Sequence, residues 1–135
     1  MVADNSISEW HEQVEFSEIY FKEHIRCREA ERLNNSIGRC YAVKSKISVG
    51  MGVLKDEEKI NATQLKKQVQ SSLSNYEKSL SFEERGGSTP LDPLSQMLKN
   101  KLDLTLDDAE SKMDTMINKK MPFLNIRKEI DIRGM

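Results

Sequence analysis

Long apolar runs are missing from this chain of 135 residues, which nowhere approaches the roughly 18 consecutive apolar residues of a membrane-spanning helix. The opening MVADNSISEW has neither a basic n-region nor an apolar h-region, so the expectation is a cytoplasmic protein. Two cysteines, Cys27 and Cys40, are too few for a disulfide framework and are expected to stay thiols. Three prolines and six glycines exclude collagen-like and Pro-rich classes. Aromatic residues are 6% and apolar residues 37%, a thin supply for a core. Charge of one sign is missing too: 21 Lys+Arg against 22 Asp+Glu predict no general attraction to nucleic acid.

Catalytic signatures are also absent. Gly50-x-Gly52 lacks the third glycine and the preceding strand of a dinucleotide fingerprint. No Gly-rich loop ends in Lys-Ser/Thr, and no Gly-x-Ser-x-Gly occurs. His24 and Cys27 stand three residues apart beside Glu23, with His11 and Cys40 elsewhere on the same expected helix. One rigid helix cannot fold four ligands around zinc, so His24 is expected to face solvent beside a partly buried thiol. Glu83-Glu84 and Asp107-Asp108 read as helix capping and solvated charge. The expectation is therefore no catalytic residue, no cofactor, no metal and no enzyme.

What is present is charge and helical periodicity. Asp, Glu, Lys and Arg make up 32% of the chain, above the roughly 25% of an average globular protein. Apolar residues recur at three- and four-residue steps through Ile7, Trp10, Val14, Tyr20, Phe21, Ala30, Leu33, Ile37 and Cys40. Ser6 and Glu9 fit a capping box, and Gly50-Met51-Gly52 is the first strong break. The spacing predicts one helix over about 6–49, roughly 60 Å long. A turn over 50–55 and a helix over about 56–85 follow, the latter opening on Asp56, Glu57 and Glu58. Gly86-Gly87-Ser88-Thr89-Pro90 marks a loop over 86–91, with Thr89 and Asp92 as competing caps for a helix over about 92–121. That last helix admits a second cap at Thr105, and a tail of 122–135 ends the chain. The expected fold is all-α, one domain over 1–135, with long helices in an elongated hairpin or three-helix coiled-coil arrangement.

Two features read as partner-binding surfaces. Trp10, Phe16, Tyr20 and Phe21 hold half of the aromatics in one short stretch, as a well-packed bundle end or as an anchor for another protein. Leu65, Val69, Leu73, Tyr76 and Leu80 lie at spacings of 4, 4, 3 and 4, close to a heptad seam on an otherwise polar helix. Arg26, Arg28, Arg32 and Arg39, interleaved with Glu29 and Glu31, read as a solvated, salt-bridged face. Met97, Met113, Met116, Met121 and Met135 read as adaptable core filling. The expectation is a non-enzymatic scaffold acting by coiled-coil association with partner helices, its own or another protein's.

Ser8-Glu9-Trp10-His11, then Tyr20, Glu31-Arg32-Leu33 and Ser36, resembles the opening of tektins, coiled-coil filament proteins of ciliary doublet microtubules. The resemblance covers about the first 36 residues, and the Arg-Pro-Asn-x-Glu-Leu-Cys-x-Asp loop of that family is absent. It implies a structural cytoskeletal rod of the cilium axoneme, packed lengthwise on tubulin-associated filaments. A second likeness competes. Tyr76-Glu77-Lys78-Ser79-Leu80 before Pro90-Leu91-Asp92-Pro93-Leu94 is similar in layout to BAR modules, which would imply a membrane surface as partner. A small helical-bundle adaptor is the remaining alternative.

Overall fold

The computed structural model describes residues 2–85 and 90–121, with side chains from His11 onward. Helix α1 spans Val2–Arg32, α2 Ser36–Gly50, α3 Asp56–Ser79, α4 Phe82–Arg85 and α5 Pro93–Lys120, with a 3-10 turn at Met51–Val53. The described chain is all-helical. The loop expected over 86–91 lies outside the described residues at 86–89, as does the tail of 122–135.

The single helix expected over 6–49 is corrected to two. Asn34 takes a left-handed φ of 55°, in which its short polar side chain is tolerated. The Asn35 N–H donates to the Ala30 carbonyl at 2.8 Å and the Asn34 N–H to that of Glu31 at 2.9 Å, the paired bonds that close a helix C-terminus. Asn35 also caps the next helix, its Oδ1 accepting from the Gly38 N–H at 2.9 Å. Two adjacent asparagines thus end α1, reverse the chain and start α2. At the other end α1 already runs from Val2, so the Ser6 and Glu9 cap expected there falls inside the helix.

Two further boundaries move. The helix expected to reach Arg85 stops at Ser79, because Ser81 and Glu84 form their own capping box. The Ser81 N–H donates to Glu84 Oε1 at 2.9 Å and the Glu84 N–H to Ser81 Oγ at 3.2 Å. Of the two competing starts for α5, Asp92 is the cap: it accepts from the Ser95 N–H at 2.8 Å, with Pro93 in the first turn. No second cap forms at Thr105, whose hydroxyl instead donates back to the Lys101 carbonyl at 2.9 Å inside a continuous helix.

The helices pack up-down-up-down. Ion pairs and hydrogen bonds fix the directions: Lys120 to Glu58 and Ser95 to Ser79 make α3 and α5 antiparallel, while Arg39 to Asp107 and Lys46 to Asp114 make α2 and α5 parallel. Helix α2 is central, contacting α1, α3 and α5. This four-helix bundle replaces the expected elongated hairpin, since folding at Asn34 lets α1 cover α2 instead of extending it. The core gathers Val43 and Ile47 of α2, Leu65, Val69 and Leu73 of α3, and Leu102, Leu106, Met113 and Ile117 of α5. Each such aliphatic side chain contributes about 1.5–3 kcal/mol on full burial.

Candidate functional site

Folding α1 onto α2 and α5 brings ionisable groups from three helices into one sealed layer. Tyr20, His24 and Lys46 have 0% exposure, Glu110 and Asp114 2%, and Arg39 3%. Lys46 is its hub. The ammonium lies 2.6 Å from Asp114 Oδ1 and 3.6 Å from Glu110 Oε2, donates to His24 Nδ1, and sits 5.1 Å from the centre of the Tyr20 ring. The Tyr20 hydroxyl donates to the same Asp114 oxygen at 2.8 Å. Arg39 extends the layer outward, 3.7 Å from Glu110 and 2.7 Å from the more exposed Asp107. Charges inside balance: Lys46 and Arg39 against Glu110 and Asp114.

The electrostatics follow from burial. Burial and the adjacent Lys46 ammonium lower the His24 pKa to about 4, so the ring is neutral at pH 7. Since Lys46 donates to Nδ1, the ring proton belongs on Nε2, which is buried and has no hydrogen-bond partner. Burial works against the charge of Glu110, but the Lys46 and Arg39 cations outweigh it and hold the carboxyl below the usual range. Arg39 is likewise kept charged against burial by Asp107 and Glu110. Burial and the Asp114 carboxylate push the Tyr20 hydroxyl up. Burial, then Glu110, raises the Cys27 thiol, and burial with Asp103 pushes Cys40 up to about 12.

These groups correct several expectations. His24 is fully buried, not solvent-facing, because the ring supplies an acceptor to Lys46. Cys27 and Cys40 are wholly buried free thiols rather than partly exposed ones. Arg39 leaves the solvated arginine face for the interior, whereas Arg26 and Arg28 pair locally with Glu23 and Glu31. Among the described residues no group of three or more His, Cys, Asp or Glu is arranged to hold a metal ion. A layer without solvent access does structural chemistry. Its ion pairs join α2 to α5, and α1 is added to them through the hydrogen bonds of Tyr20 and the neutral His24.

The residues expected to bind a partner turn inward. Leu65, Val69, Leu73, Tyr76 and Leu80 are at most 8% exposed, and the seam they form is used by the chain's own core. Tyr20 is sealed in the ionic layer, Phe16 stacks on it at 5.6 Å, and Phe21 packs half-buried against the core. The Trp10 side chain lies outside the described residues. The aromatic cluster, as far as it is described, is therefore packing rather than a free anchor.

The outward face of α3 and α5, away from α2, has a different character. Along α3 it carries Asn61, Gln64, Gln68, Ser71 and Asn75, all exposed and all uncharged. Their spacings are 3, 4, 3 and 4 in a chain that is 32% charged. Beside them α5 presents Leu94, Met97, Lys101, Leu104, Asp108, Ser111 and Thr115 on the same heptad rhythm. Leu94, Met97 and Leu104 are 56%, 58% and 68% exposed. Two depressions of about 420 and 400 Å³ lie along the α3–α5 seam, one lined by Asn61, Gln64, Ser111 and Thr115, the other by Gln68, Ser71, Lys101 and Leu104. This stripe was readable at the same spacing as the inward seam, but its polar members hid it behind Leu65 and Leu73.

No protein-family model matches the chain, and no curated protein or solved structure matches it either.

Proposed function

We propose that the chain is a non-enzymatic helical-bundle module that works by contact with a helix of a protein partner, laid along the outer seam of α3 and α5. The observation that carries this reading is the pairing of an uncharged α3 stripe with exposed Leu94, Met97 and Leu104 of α5, both at heptad spacing. Charged residues are depleted at interface cores and grouped apolar exposure marks interaction sites, whereas scattered exposed leucines carry no such meaning. Depressions alternating with ridges suit the side chains of a third helix. A place on ciliary filaments is the finer form of the same proposal and rests on the likeness at 8–36 alone.

A photocrosslinking residue placed at position 104 tests it in cells, with the same residue at exposed Tyr41 as the control. Adducts are expected from position 104 and not from position 41. Equal capture at both, or none at 104, refutes the reading.

A further inference from the structure

We infer that the helix seated on this face is α5 of a second copy of the same chain, antiparallel and related by a twofold axis through Leu104. The inference rests on the reading of the α3–α5 face as a docking surface and names its occupant.

The argument is one of register. In an antiparallel pair of identical helices, contacts repeat about the axis, so a surface that pairs with itself must carry complementary groups at distances on either side that match to within side-chain reach. Leu104 stands at the centre of the exposed stripe, and Lys101 and Asp108 flank it three and four residues away. With Leu104 meeting Leu104 of the second copy, Lys101 lies within one residue, about 1.5 Å along the axis, of the second copy's Asp108, and the second Lys101 lies equally near the first Asp108. One symmetric contact therefore yields two ion pairs. Outward from these, Met97 falls opposite Ser111 and Leu94 within one residue of Thr115, each pairing an apolar side chain with a small one.

The charges are free to do this. Among the described residues Lys101 has no carboxylate partner, and Asp108 is held only by Lys112 on the solvent side of the same helix at 3.0 Å. Such an exposed pair exchanges readily for a partner across an interface. The stripe over 94–115 is about 30 Å long at 1.5 Å per residue, and with α3 beside α5 the face is about 20 Å wide. A corrugated face of that footprint approaches the ~800 Å² per partner typical of a specific interface. The neutral stripe of α3 places no charge against the incoming helix, and Ser71 and Ser72 leave it room.

Charge exchange tests the register in the full-length chain, with mass measured by sedimentation equilibrium over a micromolar range and helicity checked by circular dichroism. Lys101→Glu alone, or Asp108→Lys alone, sets like charges opposite each other twice and is expected to weaken dimerisation about tenfold. The double variant Lys101→Glu, Asp108→Lys restores the pairs with reversed sign and is expected to return to near the wild-type constant. Leu104→Lys places two ammoniums on the axis and is expected to give a folded monomer. Leu104→Cys supplies an exposed thiol beside two buried ones and is expected to oxidise to a covalent dimer. A dimer indifferent to Leu104→Lys, or a double variant weaker than both singles, overturns the inference. So does a wild-type chain that stays monomeric at several hundred micromolar. If that monomeric chain still captures a different protein from position 104, the inference falls and the docking reading stands.

Discussion

Acidification should destabilise this protein through His24. The ring is neutral in the fold, with a pKa lowered to about 4 from 6.5, because burial, Lys46 and Arg28 oppose a charge there more strongly than Asp114 and Glu110 favour it. Between these values the unfolded chain binds a proton that the folded chain refuses, so stability rises with pH across this window and falls as pH is lowered through it. A shift of about 2.5 units at about 1.4 kcal/mol each corresponds to roughly 3 kcal/mol lost between pH 7 and pH 4. That is a large part of the 5–15 kcal/mol typical of a small domain. Urea unfolding followed by circular dichroism at half-unit pH intervals gives the slope, about 1.4 kcal/mol per pH unit from one group. His24→Gln keeps an acceptor for Lys46 without a titrating ring. Its slope between pH 6 and 4.5 should be shallower than wild type by about one proton. Parallel slopes for the two chains would refute the assignment of a buried, neutral His24.

Removing the hub should cost more. Lys46→Met fills similar volume but leaves Glu110 and Asp114 buried without their nearest cation, and should lower unfolding free energy in urea at pH 7 by about 3–5 kcal/mol. Gly50 has an ordinary helical φ of -61°, so its role is close packing: a Cβ there would meet the terminal methyl of Met113, with Ile117 and Tyr20 atoms at 3.3 Å. Because that methyl can swing aside, Gly50→Ala should stay within about 1 kcal/mol of wild type, while Gly50→Leu should cost about 1–3 kcal/mol or more by overpacking. Both thiols are buried with raised pKa values, so neither Cys27 nor Cys40 should react with Ellman's reagent at pH 8 until denaturant is added. Prompt reaction of one thiol in native buffer would contradict the burial described.

The helical class and the inward seam of α3 were legible because both rest on spacing: apolar residues at 65, 69, 73, 76 and 80 repeat at three- and four-residue steps wherever their partner comes from. What spacing does not reveal is whether that partner is internal. The reversal at Asn34 decided it, and its signal was present as Asn34-Asn35-Ser36, where one asparagine tolerates left-handed backbone and the next caps a helix. Without glycine or proline that signal was outweighed by unbroken periodicity on either side. The ionic layer was hidden for a different reason. Its members come from sequence positions as distant as Tyr20 and Asp114, and each alone looks like an ordinary member of a charged helix. Packing of α2 on α5 brings Lys46 and Arg39 to Glu110 and Asp114, and the turn at Asn34 then adds Tyr20 and His24 from α1.

The composition of that layer singles out α1 as the first helix to leave. Among its described residues α1 offers the core only Tyr20 and Cys27 as fully buried apolar groups, whereas α3 and α5 bury four or more each. Its attachment therefore depends on Tyr20 and His24 keeping their places around Lys46 and Asp114, and those contacts weaken when His24 gains a proton beside an ammonium. Elements with few buried apolar contacts open at free energies below that of the whole molecule. Native-state hydrogen exchange should accordingly show α1 amides over 20–32 opening at lower free energy than α3 and α5 amides at pH 7. The gap should widen at pH 5, where the opened state holds His24 protonated and the closed state does not. If α1 amides instead exchange together with those of α5 at both pH values, the bundle opens as one unit and the ionic layer holds α1 as firmly as apolar packing holds α3 to α5.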